Sequence, residues 1–65
     1  MATSGPTLRR ERRLADITTV ALAAQMKLSR ASLYTLERSA AVTPERTSAY
    51  REAVKTLRDA KDAAA

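Results

Sequence analysis

The 65-residue chain contains no cysteine, histidine, tryptophan or phenylalanine, and only one glycine and two prolines. Without Cys or His there is no disulfide framework, no zinc cage and no thiol or imidazole nucleophile. The staples that rescue very small domains are missing, so a core has to come from helix packing alone. A single glycine leaves little hairpin chemistry. Val, Ile, Tyr and Thr nowhere alternate with the period of two that a half-buried strand needs. An all-α fold is the economical reading. Large aliphatic residues are scarce too: apolar residues make up 45% of the chain, but fourteen of them are Ala, which forms helix better than it fills a core. No apolar run approaches the roughly 18–20 residues that span a bilayer. Met1–Thr7 is small and polar, with no secretory signal to read. The expectation is a soluble, cytoplasmic protein with no membrane partner.

What the chain has in excess is positive charge. Twelve Lys and Arg stand against seven Asp and Glu, a formal charge of +5. Residues 1–38 hold seven basic and three acidic side chains, and residues 39–65 hold five and four. The imbalance therefore sits in the first half, the pattern expected of a protein that meets phosphates.

Residues 1–6 read as a flexible arm, because small polar termini are rarely tied down. Thr7 is the expected cap of a first helix from Leu8 to about Ala15, whose core face is Leu8, Leu14 and Ala15. Its run of Arg9, Arg10, Arg12 and Arg13 reads as a solvated face. Thr18 or Thr19 caps a second helix with Val20, Ala23 and Ala24 on one face, extended by Leu22 and Met26. Ser29 caps a third, in which Leu33 and Leu36 point inward. Ser39–Val42 is a loop. Thr43 and Pro44 open a long last helix, with Glu45 favoured in its first turn by the helix dipole. Tyr50, Val54 and Leu57 form its core stripe, Tyr50 as a packing residue, and residues 62–65 read as a frayed tail. The domain proper is then residues 7–61, a compact four- to five-helix bundle with a long C-terminal helix.

The most informative window is Thr18–Arg38, TTVALAAQMKLSRASLYTLER. A short helix, a tight connection and a Ser-capped helix, with small Ala23 where the two approach, make a helix-turn-helix that sets its second helix on the surface. The spaced set Thr18, Thr19, Leu22, Ala23, Leu28, Ser29, Leu33, Leu36, Glu37 and Arg38 resembles the phage repressor and Cro-type helix-turn-helix family (XRE-like), over roughly residues 8–57. Lys27 stands where that family usually has Gly in the turn, a substitution that costs on the order of 1 kcal/mol in a left-handed conformation. The family's inward leucine of the first helix falls on Glu11, and Leu14 takes the role in a shifted register. The family's fourth and fifth helices look merged into one from Pro44.

The resemblance implies a sequence-specific, double-stranded DNA-binding transcriptional regulator, a small Cro-like or immunity repressor. Its third helix would read the major groove at an operator, in the nucleoid of a bacterial host. It implies that Arg30, Ala31, Tyr34 and Thr35 face base edges. A guanidinium at Arg30 can bridge guanine O6 and N7, and Ala31 and the Thr35 methyl suit a thymine methyl. Thr19, Lys27, Ser29, Ser32 and Arg38 are the expected phosphate contacts, joined by Arg9 and Arg10 of the charge run. Glu37 is expected to pair with its neighbour Arg38 and position it.

No catalytic constellation is present, because the hydroxyls lack a base to activate them. Asp59 and Asp62 on a fraying helix are a poor cation cage. The chain reads as a non-enzyme with no metal, cofactor or small-molecule ligand. Half-sites one turn apart usually demand a dimer; Val42, Val54, Leu57 and the alanines of the last helix either supply an isologous contact, before or only on DNA, or are all used closing the monomer's own core. The alternative reading keeps the scaffold and drops the DNA: a protein–protein interaction module, antitoxin-like or host-factor-binding. A basic first helix lying on an anionic membrane is a third reading, with a thin apolar face against it.

Overall fold

The computed structural model describes residues 2–64; Met1 of the expected arm and Ala65 of the expected tail lie outside them. Four helices follow in order: α1 (Gly5–Leu14), α2 (Thr19–Met26), α3 (Arg30–Arg38) and α4 (Pro44–Ala64). Among the described residues there is no strand, only an isolated bridge between Thr3 and Val42. No helix among them is long and apolar enough to cross a membrane.

Local chemistry explains the helix starts. Ser4, Thr18, Ser29 and Thr43 each offer a side-chain oxygen to the backbone N–H three residues on, satisfying a donor the helix itself cannot. Pro6 and Pro44 occupy first-turn positions, where no hydrogen bond is lost. The turn between α2 and α3 passes through Lys27 in the left-handed conformation, at φ 58° and ψ 40°. Its N–H bonds back to Ala24 O, and that of Leu28 to Ala23 O, so the αL cap forms without the usual glycine. Asp16, between α1 and α2, is left-handed as well, at φ 57°.

Alpha-one departs most from expectation. It begins at Gly5, not Leu8, and its cap is Ser4, not Thr7; the Thr7 hydroxyl instead lies 2.8 Å from Ser4 Oγ. Residues 3–5 of the expected flexible arm are tied to the loop after α3. Gly5 N–H donates to Ser39 O and Val42 N–H to Thr3 O, both at 2.8 Å. Gly5 is buried because α1 starts directly against the end of α3. A Cβ there would stand 2.6 Å from the Glu37 carbonyl carbon and 2.7 Å from its oxygen. At the far end of the chain, α4 continues through Ala64, past the expected fraying point near residue 61.

The core gathers Leu8, Ile17, Leu22, Leu33, Leu36, Val42, Tyr50 and Val54, with Ala23 and Ala53 between them. Ala15, Ala21, Met26 and Leu57 close its edges. The inward face of α2 is Leu22 and Ala23, with Met26 partly covered, while Val20 and Ala24 are exposed. The expected grouping of Val20, Ala23 and Ala24 is thus turned about the helix axis. Leu14 does not take a core role: it is 81% exposed. Its place is filled by Leu8 and, one turn on, by the stem and head of Arg12. Val42, Val54 and Leu57, candidates for a contact between copies, are used within this core.

Candidate nucleic-acid interface

Helix α3 has two sharply different sides. Leu33, Leu36 and Glu37 are buried at i, i+3 and i+4, and Arg30, Ala31, Tyr34, Thr35 and Arg38 are exposed on the opposite stripe. At 1.5 Å per residue the helix is about 14 Å long. Ser29 and Ser32 at its start are exposed and engage each other, Ser29 Oγ donating to Ser32 Oγ at 3.0 Å. The Thr35 hydroxyl donates to Ala31 O at 3.0 Å, so its proton is used within the helix. The Arg38 guanidinium lies over the Tyr34 ring, 5.2 Å from its centroid. Stacking of this kind restrains a long side chain with little loss of hydration.

Behind α3, beside the packed Leu33 and Leu36, lies a buried polar cluster. Arg12 of α1 donates from Nε to Glu37 Oε2 at 2.8 Å, from Nη2 to Oε1 at 3.4 Å, and from Nη1 to Ile17 O at 2.8 Å. The Tyr50 hydroxyl of α4 donates to the same Glu37 Oε2. One carboxylate thereby ties α3 to both flanking helices. Burial works against the Arg12 charge, but its hydrogen bond and attraction to Glu37, reinforced by Tyr50, outweigh it and hold the guanidinium above its ordinary range. Burial, then the bond to Glu37, pushes the Tyr50 phenol well above its usual value against the opposing pull of Arg12. Two expectations are corrected here. Arg12 is not part of a solvated run, and Glu37 pairs with Arg12 rather than with Arg38, because Arg38 points to the exposed stripe while Glu37 faces inward.

The other acids of the first half are also engaged. Glu11 accepts both Arg51 Nε at 2.9 Å and Arg51 Nη2 at 2.8 Å, and this arginine, with burial opposing it, holds the carboxyl below its ordinary range. Lys61 Nζ donates to Asp16 Oδ2 at 2.7 Å and to Asp16 O at 3.0 Å. Lys61 lowers that carboxyl as well. Among the described residues, every carboxylate of α1–α3 and their turns is therefore paired. Among the described residues, Arg9, Arg10, Arg13, Lys27, Arg30 and Arg38 have no carboxylate within salt-bridge reach.

Several of these cations come together. Arg9 shares a cleft with Pro6, Tyr34, Glu37 and Arg38, so the start of α1 adjoins the end of the exposed stripe. Arg10 and Arg13 lie beside Arg9 in the neighbouring cleft. Lys27 is exposed in the turn, and Thr19, the first residue of α2, is half-buried. Arg13 is read in the sequence only within the charge run, and Arg46 carries no sequence expectation. Arg46 lies with Ser32, Thr35, Ser39 and Thr43 in a cleft on the α4 side of α3. Its signal is positional: it falls in the first turn of the helix that follows the α3 loop, an adjacency visible only once the loop is folded. No family model matches this chain, and neither a curated protein nor a solved structure matches it.

Proposed function

We propose that this protein is a sequence-specific double-stranded DNA-binding regulator of the Cro-like or immunity-repressor kind, with α2 and α3 as its helix-turn-helix and no catalytic activity. The observation that carries the reading is the exposed stripe of α3, held at its back by Glu37 and set in a half-surface where cations are unpaired and carboxylates are neutralised. A helix of this length and width fits the major groove, about 12 Å wide. Arg30 reads a guanine edge; Ala31 and the Thr35 methyl meet apolar base surface; Tyr34 donates to a base or phosphate. Arg9 and Arg10 on one flank of α3, with Lys27, Ser29, Ser32, Thr19 and Arg38, engage the backbone. Function is then expected in the bacterial nucleoid, and a palindromic operator would be bound by two copies.

The test is selection of bound sites from a random duplex library, followed by titration of variants. Arg30→Ala should cost about 1–3 kcal/mol and relax preference at one base position. Arg10→Ala should weaken all duplexes evenly and reduce the magnitude of the log–log salt slope by roughly 0.9. A library that returns no enriched motif, with all duplexes competing equally, refutes the reading.

A further inference from the structure

Leu14 is 81% exposed, in a chain with few large aliphatic side chains. It forms a ridge of α1 between two clefts. On one side, Leu14, Ala15 and Val54 floor a groove between α1 and α4 that is rimmed by Glu11, Arg51, Lys55 and Arg58. On the other side Leu14 borders Arg10 and Arg13. Glu11 is the one carboxylate lining either cleft, and Arg51 occupies both of its oxygens. Among the described residues Lys55 has no carboxylate partner, and Arg58 has only the adjoining Asp59, at 3.8 Å. An apolar knob is thus set in a ring of cations whose charge is mostly unanswered.

We propose that the α1–α4 groove docks an acidic amphipathic helix of another protein, whose apolar side chains cover Leu14 and the half-buried Ala15 and whose carboxylates face Lys55 and Arg58 in the groove and Arg13 across the Leu14 ridge. From Arg51 to Arg58 the groove follows two turns of α4, about 10 Å, which matches the i, i+3 or i+4, i+7 anchors of a helix laid in a groove. Charge decides against the other occupants. Two copies of a chain with formal charge +5 would bring this cationic ring against itself in a two-fold contact. A phosphate backbone would answer the cations but leave the leucine ridge in water. An anionic bilayer needs a broader apolar face than a single leucine provides. No residue of α3 lines this groove, and Arg9 and Arg10, assigned to the DNA backbone, line only the cleft across the Leu14 ridge.

The full chain, labelled with ¹⁵N, is titrated with a synthetic peptide carrying leucines at i, i+4 and i+7 and glutamates between them, and with a scrambled peptide of the same composition. The expected result is saturable amide shifts confined to residues 11–15 and 51–58, elicited by the patterned peptide only. Leu14→Gln and Lys55→Glu should each weaken binding about tenfold, roughly 1.4 kcal/mol. Both side chains are exposed, and unchanged melting curves check that the variants fold. The proposal is overturned if neither peptide binds, if the scrambled peptide binds equally, or if the shifts centre on α3. It is equally overturned if the amides of residues 51–58 shift on dilution of the protein alone, with duplex DNA, or with phosphatidylglycerol vesicles as strongly as with the peptide.

Discussion

Replacing Glu37 by leucine removes the carboxylate that joins three helices and strands two buried partners. The Arg12 guanidinium loses its counter-charge and the Tyr50 hydroxyl its acceptor, both in positions closed to water. Breaking a buried ion pair from one side costs about 3–5 kcal/mol, and an orphaned buried hydroxyl adds about 1–3. A chain of this length has a total stability of only roughly 3–10 kcal/mol. Glu37→Leu should therefore be mostly unfolded, or nearly so, at physiological temperature. The triple variant Arg12→Met, Glu37→Leu, Tyr50→Phe removes all three polar ends together. It leaves only Ile17 O without its donor and should lie within about 2 kcal/mol of the parent. Urea denaturation followed by far-UV circular dichroism measures each step. A single variant within about 1 kcal/mol of the parent, or a triple no more stable than the single, would refute the claim that stranded buried partners set the cost.

Three further outcomes are expected. Gly5→Ala should destabilise the fold by about 1–3 kcal/mol, because the new methyl meets the Glu37 backbone and must push α1 away from α3; an unchanged urea midpoint would show that the contact yields freely. Lys27→Gly should raise stability by up to about 1 kcal/mol by relieving the left-handed conformation. It should also reduce the magnitude of the salt slope of DNA binding by roughly 0.9, and a loss of stability would place the strain elsewhere. The Tyr50 phenol is raised in the folded state, so its contribution is complete below its ordinary value of about 10. That contribution is lost as pH rises from there through the folded value, since the unfolded chain releases this proton first. Stability should fall by up to about 1.4 kcal/mol per pH unit from this group, and Tyr50→Phe should lack that component. Parallel alkaline losses in the two proteins would contradict it.

The parts of the fold that were legible in sequence are those governed by neighbours three or four residues apart. Ser29 and Thr43 declare helix starts by local hydrogen bonding, and the leucines of α3 leave only one face for Arg30, Ala31, Tyr34 and Thr35. The first helix departs from its expected bounds for the opposite reason. Gly5 meets Glu37 and Arg12 pairs with it across 25 or more positions, and no local pattern marks either contact. In α2 the alanines blur the apolar contrast, so Val20 and Ala24 looked as inward as Leu22 does in fact. The candidate site shows the same division: its stripe on α3 is periodic and readable, while Arg46 joins it only through the course of the loop.

The separation of the two sides of α3 bears on how such a molecule changes over generations. Among the described residues, Arg30 and Tyr34 make no side-chain hydrogen bond, Ala31 has none to make, and Thr35 bonds only within its own helix. Alphabets of substitution at these four positions should leave the melting temperature almost untouched. A library randomised there would sample new preferences without first having to be screened for survival of the scaffold, whereas one randomised at Leu33, Leu36 and Glu37 would lose most of its members before any preference could be measured.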